Sequence, residues 1–525
     1  MAEIFVSSKY QHPGVYVQEV DGPSSIVGAD TSTPLFIGVA VGHANNEPTL
    51  ITSWQGFEAT FGGLIWNRFL AAAVYTFFAE GGSNCYVKTL NPNKPAAQVK
   101  VGSLQATATS AGDWCDSWRI VIAEAAHPSD SAFSLAVQAP VVQDPGKQQE
   151  QLLLEYVRRN QLPLSEDNSH WELERFDIQL AQLATAIEAI NRRSLFIQLT
   201  ADPSPIKPKD GNYVLSAPAV SFDLSGLPAL IEQMHEQTEL AVLTDATSIA
   251  SQPAEQRDFT QLLTDAAELH RNVFVVCDTP FGLDEKQAIA YREGLPLTSS
   301  EQPGNALASP FGAIYYPWIS ILNPITNRQL WLPPAGAVLG RYADTDQGYG
   351  VWKAPAGIDA GRLTIADALY SNIDESEQGP LNTENINAIR KFPNYGILIW
   401  GARTLSSDYD SQYVSVRRLL IYVEQSIKQS LGWVVFEPTG PKLWGQVQRE
   451  IETFLNQLWQ QGALFGTTAK EAYFVTVDQT NNTPSDQEQG ILNVTIGIAA
   501  EHPAEFIVVA IKATTSGSWQ VAIHT

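Results

Sequence analysis

Few residues of this 525-residue chain are spaced for chemistry. Asp344-Thr345-Asp346-Gln347-Gly348 opens like a calcium loop but lacks the third ligand and the bidentate Glu that such a loop needs, so it reads as a tight turn. Cys277-Asp278 ends an apolar run, where α/β sheets gather ligands. No histidine in a recognisable motif partners it, and Asp278 before Thr279-Pro280 reads as a turn acceptor. His235-Glu236 lacks the second His of a zinc-protease helix. There is no G-x-S-x-G and no G-x-x-x-x-G-K-[ST], and the glycines of Gly38-Val39-Ala40-Val41-Gly42 fit close packing better than a phosphate. Tyr315, Tyr316 and Trp318 could stack on sugars or bases, but without basic neighbours they read as core or interface. Arg417-Arg418 reads as solvated or locally paired, the alternative being a salt bridge across a subunit contact. Cys85, Cys115 and Cys277 lie far apart, which implies buried thiols rather than a disulfide framework or a zinc site. No catalytic residue, cofactor or metal follows from these residues.

The elements that would have to position any site are better marked. Apolar residues make up 44% and charged residues 17%, so the chain is folded and long enough for several cores. The formal net charge is −24, which disfavours nucleic acid and anionic membrane surfaces. From Leu381 onward ten Lys/Arg face thirteen Asp/Glu, so the acidic excess lies in the first 380 residues; it reads as a solubility device, the alternative being that the near-neutral C-terminal third packs inside an assembly while the acidic part faces solvent. No run reaches the ~18 apolar residues of a membrane span, and the first twenty residues carry no secretory signal pattern.

Residues 1–22 have no helical period; Pro13-Gly14 precedes Val15-Tyr16-Val17, an extended arm with one short strand. Residues 34–40 read as a buried strand, 70–78 as a helix ended by Gly81-Gly82, and 85–87 as a strand. Residues 96–225 change character, with alternating stretches such as 118–122 and 133–137, and read as an inserted β-rich domain. Strand 240–245, helix 259–269 and strand 272–280 suggest a parallel pair with a crossover helix. In the last third, strand 396–401 precedes an amphipathic helix on Tyr413, Val416, Leu420, Val423, Ile427 and Leu431. A strand Trp433–Pro438, a second helix on Leu443, Val447, Ile451, Phe454, Leu455 and Leu458, and strands 472–477, 491–498 and 506–511 complete it.

The segment 309–357 carries Tyr315-Tyr316-Pro317-Trp318, Pro333-Pro334, Gly340-Arg341-Tyr342, Asp344-Thr345-Asp346 and Trp352-Lys353-Ala354-Pro355. With the Pro-Gly-Val-Tyr arm, a Phe61-Gly62-Gly63 loop before the 70–78 helix, and Val416-Arg417-Arg418-Leu419 followed by Trp433-Val434-Val435-Phe436-Glu437-Pro438, it resembles the contractile tail sheath family of phage tails and related injection machines. The resemblance implies an α/β (α+β) multidomain fold: an N-terminal arm at 1–22, a middle α/β domain at 23–95 and 226–375, the inserted β-rich outer domain at 96–225, and a C-terminal core at 376–525 whose arm starts near 503. It also implies a subunit without enzymatic activity that polymerises helically around an inner tube protein, meets baseplate and terminal cap proteins, and contracts. Assembly in the bacterial cytoplasm is expected, as part of a phage tail or a tail-like particle that is released or membrane-anchored.

Strand exchange between copies is expected to use the arms, through Val15, Tyr16, Val17, Phe506, Val508, Trp519 and Val521. The 442–460 helix is the candidate tube-facing element, through Lys442, Gln446, Arg449 and Glu450. Two rivals come from other classes: an α/β hydrolase-like enzyme with an inserted β domain, using Asp278 or Asp245, and a carbohydrate-binding module using exposed tryptophans.

Overall fold

Continuous apolar runs bounded by turn residues become central strands, because a strand covered on both faces has no polar side to show. Such runs form the middle of a nine-stranded sheet in the computed structural model, which describes residues 26–41, 45–126, 131–142, 147–234, 236–250, 252–298, 301–505, 508–513 and 519–524. Across it lie Arg362–Leu363, Gly396–Ile399, Ile386–Phe392, Gly312–Tyr316, Phe274–Asp278, Leu240–Leu243, Pro34–Gly38, Cys85–Thr89 and Thr49–Ile51. Six consecutive strands, from Ile386–Phe392 to Cys85–Thr89, run parallel. The helix Pro253–His270 makes the expected crossover between Leu240–Leu243 and Phe274–Asp278, although its Leu269 points to solvent.

The insertion between Thr89 and Leu240 is β-rich, as expected. It holds a three-stranded antiparallel sheet (Gln98–Val101, Leu104–Ala108, Ile197–Ala201) and a four-stranded one (Gly211–Val214, Arg119–Ala123, Ala132–Pro140, His170–Gln179). Trp66, Trp114, Trp118 and Phe196 pack together where the insertion meets the main sheet's layer.

The chain forms two compact units. One comprises residues 29–425 and 500–525; the other comprises residues 426–499 with those before 29. The division at 425/426 differs from an expected start of the C-terminal core at 376, because Ile386–Phe392 and Gly396–Ile399 complete the large sheet instead of founding a new one. In the smaller unit the helix Pro441–Gln460, stopped near Gly462 in a left-handed turn, packs against a two-stranded antiparallel sheet of Tyr473–Thr476 and Thr495–Ile498.

Three local readings are corrected. Asp344-Thr345-Asp346 lies in the helix Ala335–Tyr349, not in a turn. Its Gly336 and Gly340 look like loop punctuation but let the helix touch Leu70–Ala79: a Cβ on Gly336 would sit 2.7 Å from Thr76 Oγ1, and one on Gly340 2.6 Å from the Phe77 carbonyl oxygen. Tyr315, Tyr316, Trp318 and Tyr342 are accordingly core. The Trp433–Pro438 segment is not a strand. Its residues close turns on themselves, Val435 N to Gly432 O and Glu437 N to Val434 O, so a β-prone run without a partner strand stays a loop. Finally, Phe61 ends the helix Trp54–Phe61, so the loop runs from Gly62 to Phe69.

Candidate functional site

A parallel sheet offers a ligand crevice where adjacent strands send the chain in opposite directions. Here that point lies between Pro34–Gly38, which leads on to Cys85–Thr89, and Leu240–Leu243, which leads on to Phe274–Asp278. The crevice is filled from within. The fully buried Asp245 accepts from Val39 N (2.7 Å), from Phe69 N at the start of the Leu70–Ala79 helix (2.8 Å), and from Ser248 Oγ (2.9 Å). A carboxylate thus takes the place an anionic ligand would take at a helix N-terminus. Burial raises its pKa, opposed by the nearby Arg68 and by the two amides. Arg68, itself buried, donates to Ser248 O (2.7 Å) and Ala111 O (2.9 Å), tying the insertion to the crevice. A Cβ on Gly38 would collide with Thr244 and Asp245, so close packing explains this glycine.

Asp278 also turns inward. Its Oδ1 accepts from Ala335 N (2.9 Å), the first amide of the Ala335–Tyr349 helix, and burial pushes its pKa up to about 8. Asp278 is thus buried and engaged as a helix cap, and burial pushes the neighbouring Cys277 thiol far up, so neither group is presented to solvent. The other expected chemistry dissolves in the same way. Arg418 is neither solvated nor set at a subunit contact: wholly buried, it bridges Glu239 (Nε–Oε1 3.0 Å) and Asp346 (Nη2–Oδ2 2.6 Å) and donates to Thr31 O (2.8 Å). Burial pushes the Glu239 carboxyl up, opposed by the Arg418 guanidinium bonded to it. Arg417 lies over the Phe311 ring at 4.7 Å. Every tryptophan whose side chain is described is buried or half-buried, which removes the exposed tryptophans the carbohydrate reading needed. Among the described residues no cluster of three or more His, Cys, Asp or Glu is placed to hold a metal, and no helix is long and apolar enough to cross a membrane.

On the helix Pro441–Gln460, Lys442 and Arg449 are exposed and Gln446 half-buried, on one face at helical spacing. Glu450 departs from that set. It is 4% exposed and accepts from Trp433 Nε1 and Gln446 Nε2, both at 3.3 Å, so it belongs to the core of its unit. Thr453, Gln457 and Gln460 continue the exposed stripe, a polar, uncharged extension that the heptad-like spacing of the apolar residues already implied.

The small sheet is incomplete. Val475 is buried against the helix, but Ile496 and Ile498, which share that face, remain partly exposed. Phe474 lies across Gly497 on the outer face and is exposed, as is Phe465. Beyond Ala499, which bonds back to Phe465 and Ala472, neither strand has a further described neighbour.

Of the expected strand-exchange residues, Val15, Tyr16, Val17 and Phe506 lie outside the described residues. Val508, Trp519 and Val521 fall in an antiparallel hairpin, Val508–Ala513 with Trp519–His524, which joins no other sheet among the described strands. The N-terminal arm enters the described chain at Ile26, and Val27 N donates to Ser430 Oγ (3.0 Å) within the smaller unit.

Residues 242–405 match the phage tail sheath protein central domain, and residues 406–514 match the phage tail sheath C-terminal domain. The chain is 24% identical over 191 residues to the tail sheath protein of Vibrio phage KVP40, and 25% identical over 191 residues to that of Enterobacteria phage T4, covering 36% of this chain in each case. It spans 28% of the length of each of these two relatives. Whole-chain structural similarity extends to the contracted sheath complex of the extracellular contractile injection system PVC (TM-score 0.57, 21% identity, 97% of this chain and 99% of that one). It extends equally to a chain in the baseplate of the anti-feeding prophage (TM-score 0.56, 23% identity, 96% and 100%).

Proposed function

The chain belongs to the phage tail sheath family, and from that premise we propose that it is the structural subunit of a contractile sheath, polymerising helically around an inner tube and contracting to drive the tube through a target envelope. One observation carries the reading: among the described residues the two-stranded sheet at 473–498 has no further strand beside it, and its apolar face is partly exposed. Two strands alone are marginal in water. A strand from another copy would extend the ladder with main-chain hydrogen bonds and cover Ile496 and Ile498. The C-terminal hairpin and the 1–22 arm are the segments available to give such strands.

A head-to-tail contact that does not close builds an open helix, and straps of this kind keep copies joined while their bodies rotate and slide. Contraction then needs no nucleotide, provided that the contracted wall buries more surface than the extended one. The self-filled switch point supports this non-enzymatic reading, since its anion position is taken by Asp245. Lys442, Gln446 and Arg449 are the residues proposed to face the inner tube. Contacts with baseplate and cap proteins, and assembly in the bacterial cytoplasm into a tail or tail-like particle, belong to the same proposal.

Deletion of residues 1–20 tests it. The truncated protein is expected to fold as a monomer or short oligomer that forms no striated tubes in negative-stain micrographs. Long, cross-linked sheaths from the truncated chain would remove the strap from the account.

A further inference from the structure

Whatever crosses to a neighbour, the C-terminal strap must be held at home somewhere, and we propose that Arg403 is its anchor, passing tension from the strap into the nine-stranded sheet. The proposal rests on the strand-exchange reading above. Just before the hairpin, Glu505 receives Arg403 Nε on both carboxylate oxygens (3.0 and 3.2 Å) and Arg403 Nη2 as well. Both side chains are largely withdrawn from water, at 11% and 17% exposure. Three residues earlier the His502 ring sits between Tyr409 (5.2 Å) and Tyr413 (5.4 Å). The loop supplying these groups is closed on itself by Thr404 N to Gln412 O and Val414 N to Ala402 O.

The grip is fastened to the core from the other side. Arg403 N donates to Asn387 Oδ1, and Asn387 Nδ2 donates back to Arg403 O, both at 2.7 Å. Asn387 is buried on the Ile386–Phe392 strand, beside Gly312–Tyr316 in the sheet. Arg403 Nη1 donates to Asn382 O (3.0 Å), which fixes the guanidinium plane. A pull along residues 505 and beyond therefore runs from carboxylate to guanidinium, to the Arg403 backbone, to Asn387 and into the sheet, rather than unzipping residues 500–505. A planar fork suits this task because two parallel charge-assisted bonds resist sliding better than one point charge.

The test uses the full-length protein. Glu505→Ala is expected to lower the monomer's denaturant midpoint only slightly, since Arg403 keeps its bond to the Asn382 carbonyl, and to allow tubes, but to shorten their median length after mild shear about tenfold, the factor that corresponds to one charge-assisted hydrogen bond. Arg403→Lys is expected to fall between it and wild type. The double variant Arg403→Met/Glu505→Met should shear no worse than either Arg403→Met or Glu505→Met alone, since one interaction is lost in all three. A variant lacking residues 506–525 separates the two claims. If it still forms long tubes, the strand-exchange reading falls. If it forms none while Glu505→Ala tubes resist shear like wild type, or if the losses of the two single substitutions add, the anchor is refuted.

Discussion

In the region from 29 to 425 buried charges find partners within the chain; in the region from 426 to 499 apolar side chains find too few. Arg418 sits among Glu239, Asp346 and Thr31 O, and Asp245 among backbone amides. In the smaller unit Phe436 is 102% exposed at φ +75°, with Val435, Phe465 and Phe474 exposed as well. The contrast teaches a division of labour. The first region pairs its buried charges within the chain, so substitutions among them, away from the Arg403 anchor, should act on folding. The second is complete only in company, so its substitutions should act on assembly.

The strongest blow to that contrast comes at Arg418. Arg418→Met leaves Glu239 and Asp346 buried without their cation and is expected to cost the isolated subunit about 3–5 kcal/mol in chemical denaturation. A monomer that tolerated the change would mean that the large unit does not need its inner charges paired.

Next comes Glu174, which burial pushes up to about 7 despite bonds from Ser194 and Leu195. Its folded pKa lies above its unfolded value, so its favourable contribution is full below pH ~4.3, fades as pH rises toward 7 and is gone above it. Glu174→Gln should therefore flatten stability between pH 5 and pH 8 relative to wild type by roughly 2–3 kcal/mol. A parallel pair of pH profiles would contradict this.

Smaller again is Gly340→Val, which drives a side chain into the backbone of Leu70–Ala79 and is expected to cost roughly 1–3 kcal/mol in the same assay. The smallest effect belongs to the other side of the contrast. Phe436→Gly removes a side chain exposed in the monomer and relieves a left-handed backbone, so the monomer should gain about 1 kcal/mol. Tube yield by sedimentation should fall. If yield is unchanged, Phe436 is not part of the assembly surface.

How much of this could be read beforehand follows the range of the interactions. The strands at 34–38, 240–243 and 274–278 announce themselves as apolar runs, and the helix at 441–460 by its period, since both signals are local. The helix at 335–349 does not, because Gly336 and Gly340 are poor helix formers whose merit appears only against Ala73 and Phe77. Arg418 reads as solvated or locally paired from sequence, because the carboxylates that pair with it in the core stand 72 and 179 residues away. The apolar period places Lys442 and Arg449 on an outer face and Glu450, three residues after Val447 and four before Phe454, on the inner one; only its partner Trp433 depends on a turn outside the helix. The Trp433–Pro438 run is β-prone but stays a loop, because a strand needs a partner and the partner is not written in the run itself.

The central claim is that the 473–498 sheet is finished by a strand from another copy. Cysteines introduced at Thr495 and Val521, with a short bis-maleimide added to assembled tubes, test it most directly. The native Cys85, Cys115 and Cys277 are buried and stay silent. A ladder of covalent multimers on a denaturing gel, absent from either single-cysteine variant, is the expected result. Cross-linked material that runs only as monomer would show the strand returning to its own chain and would contradict the account.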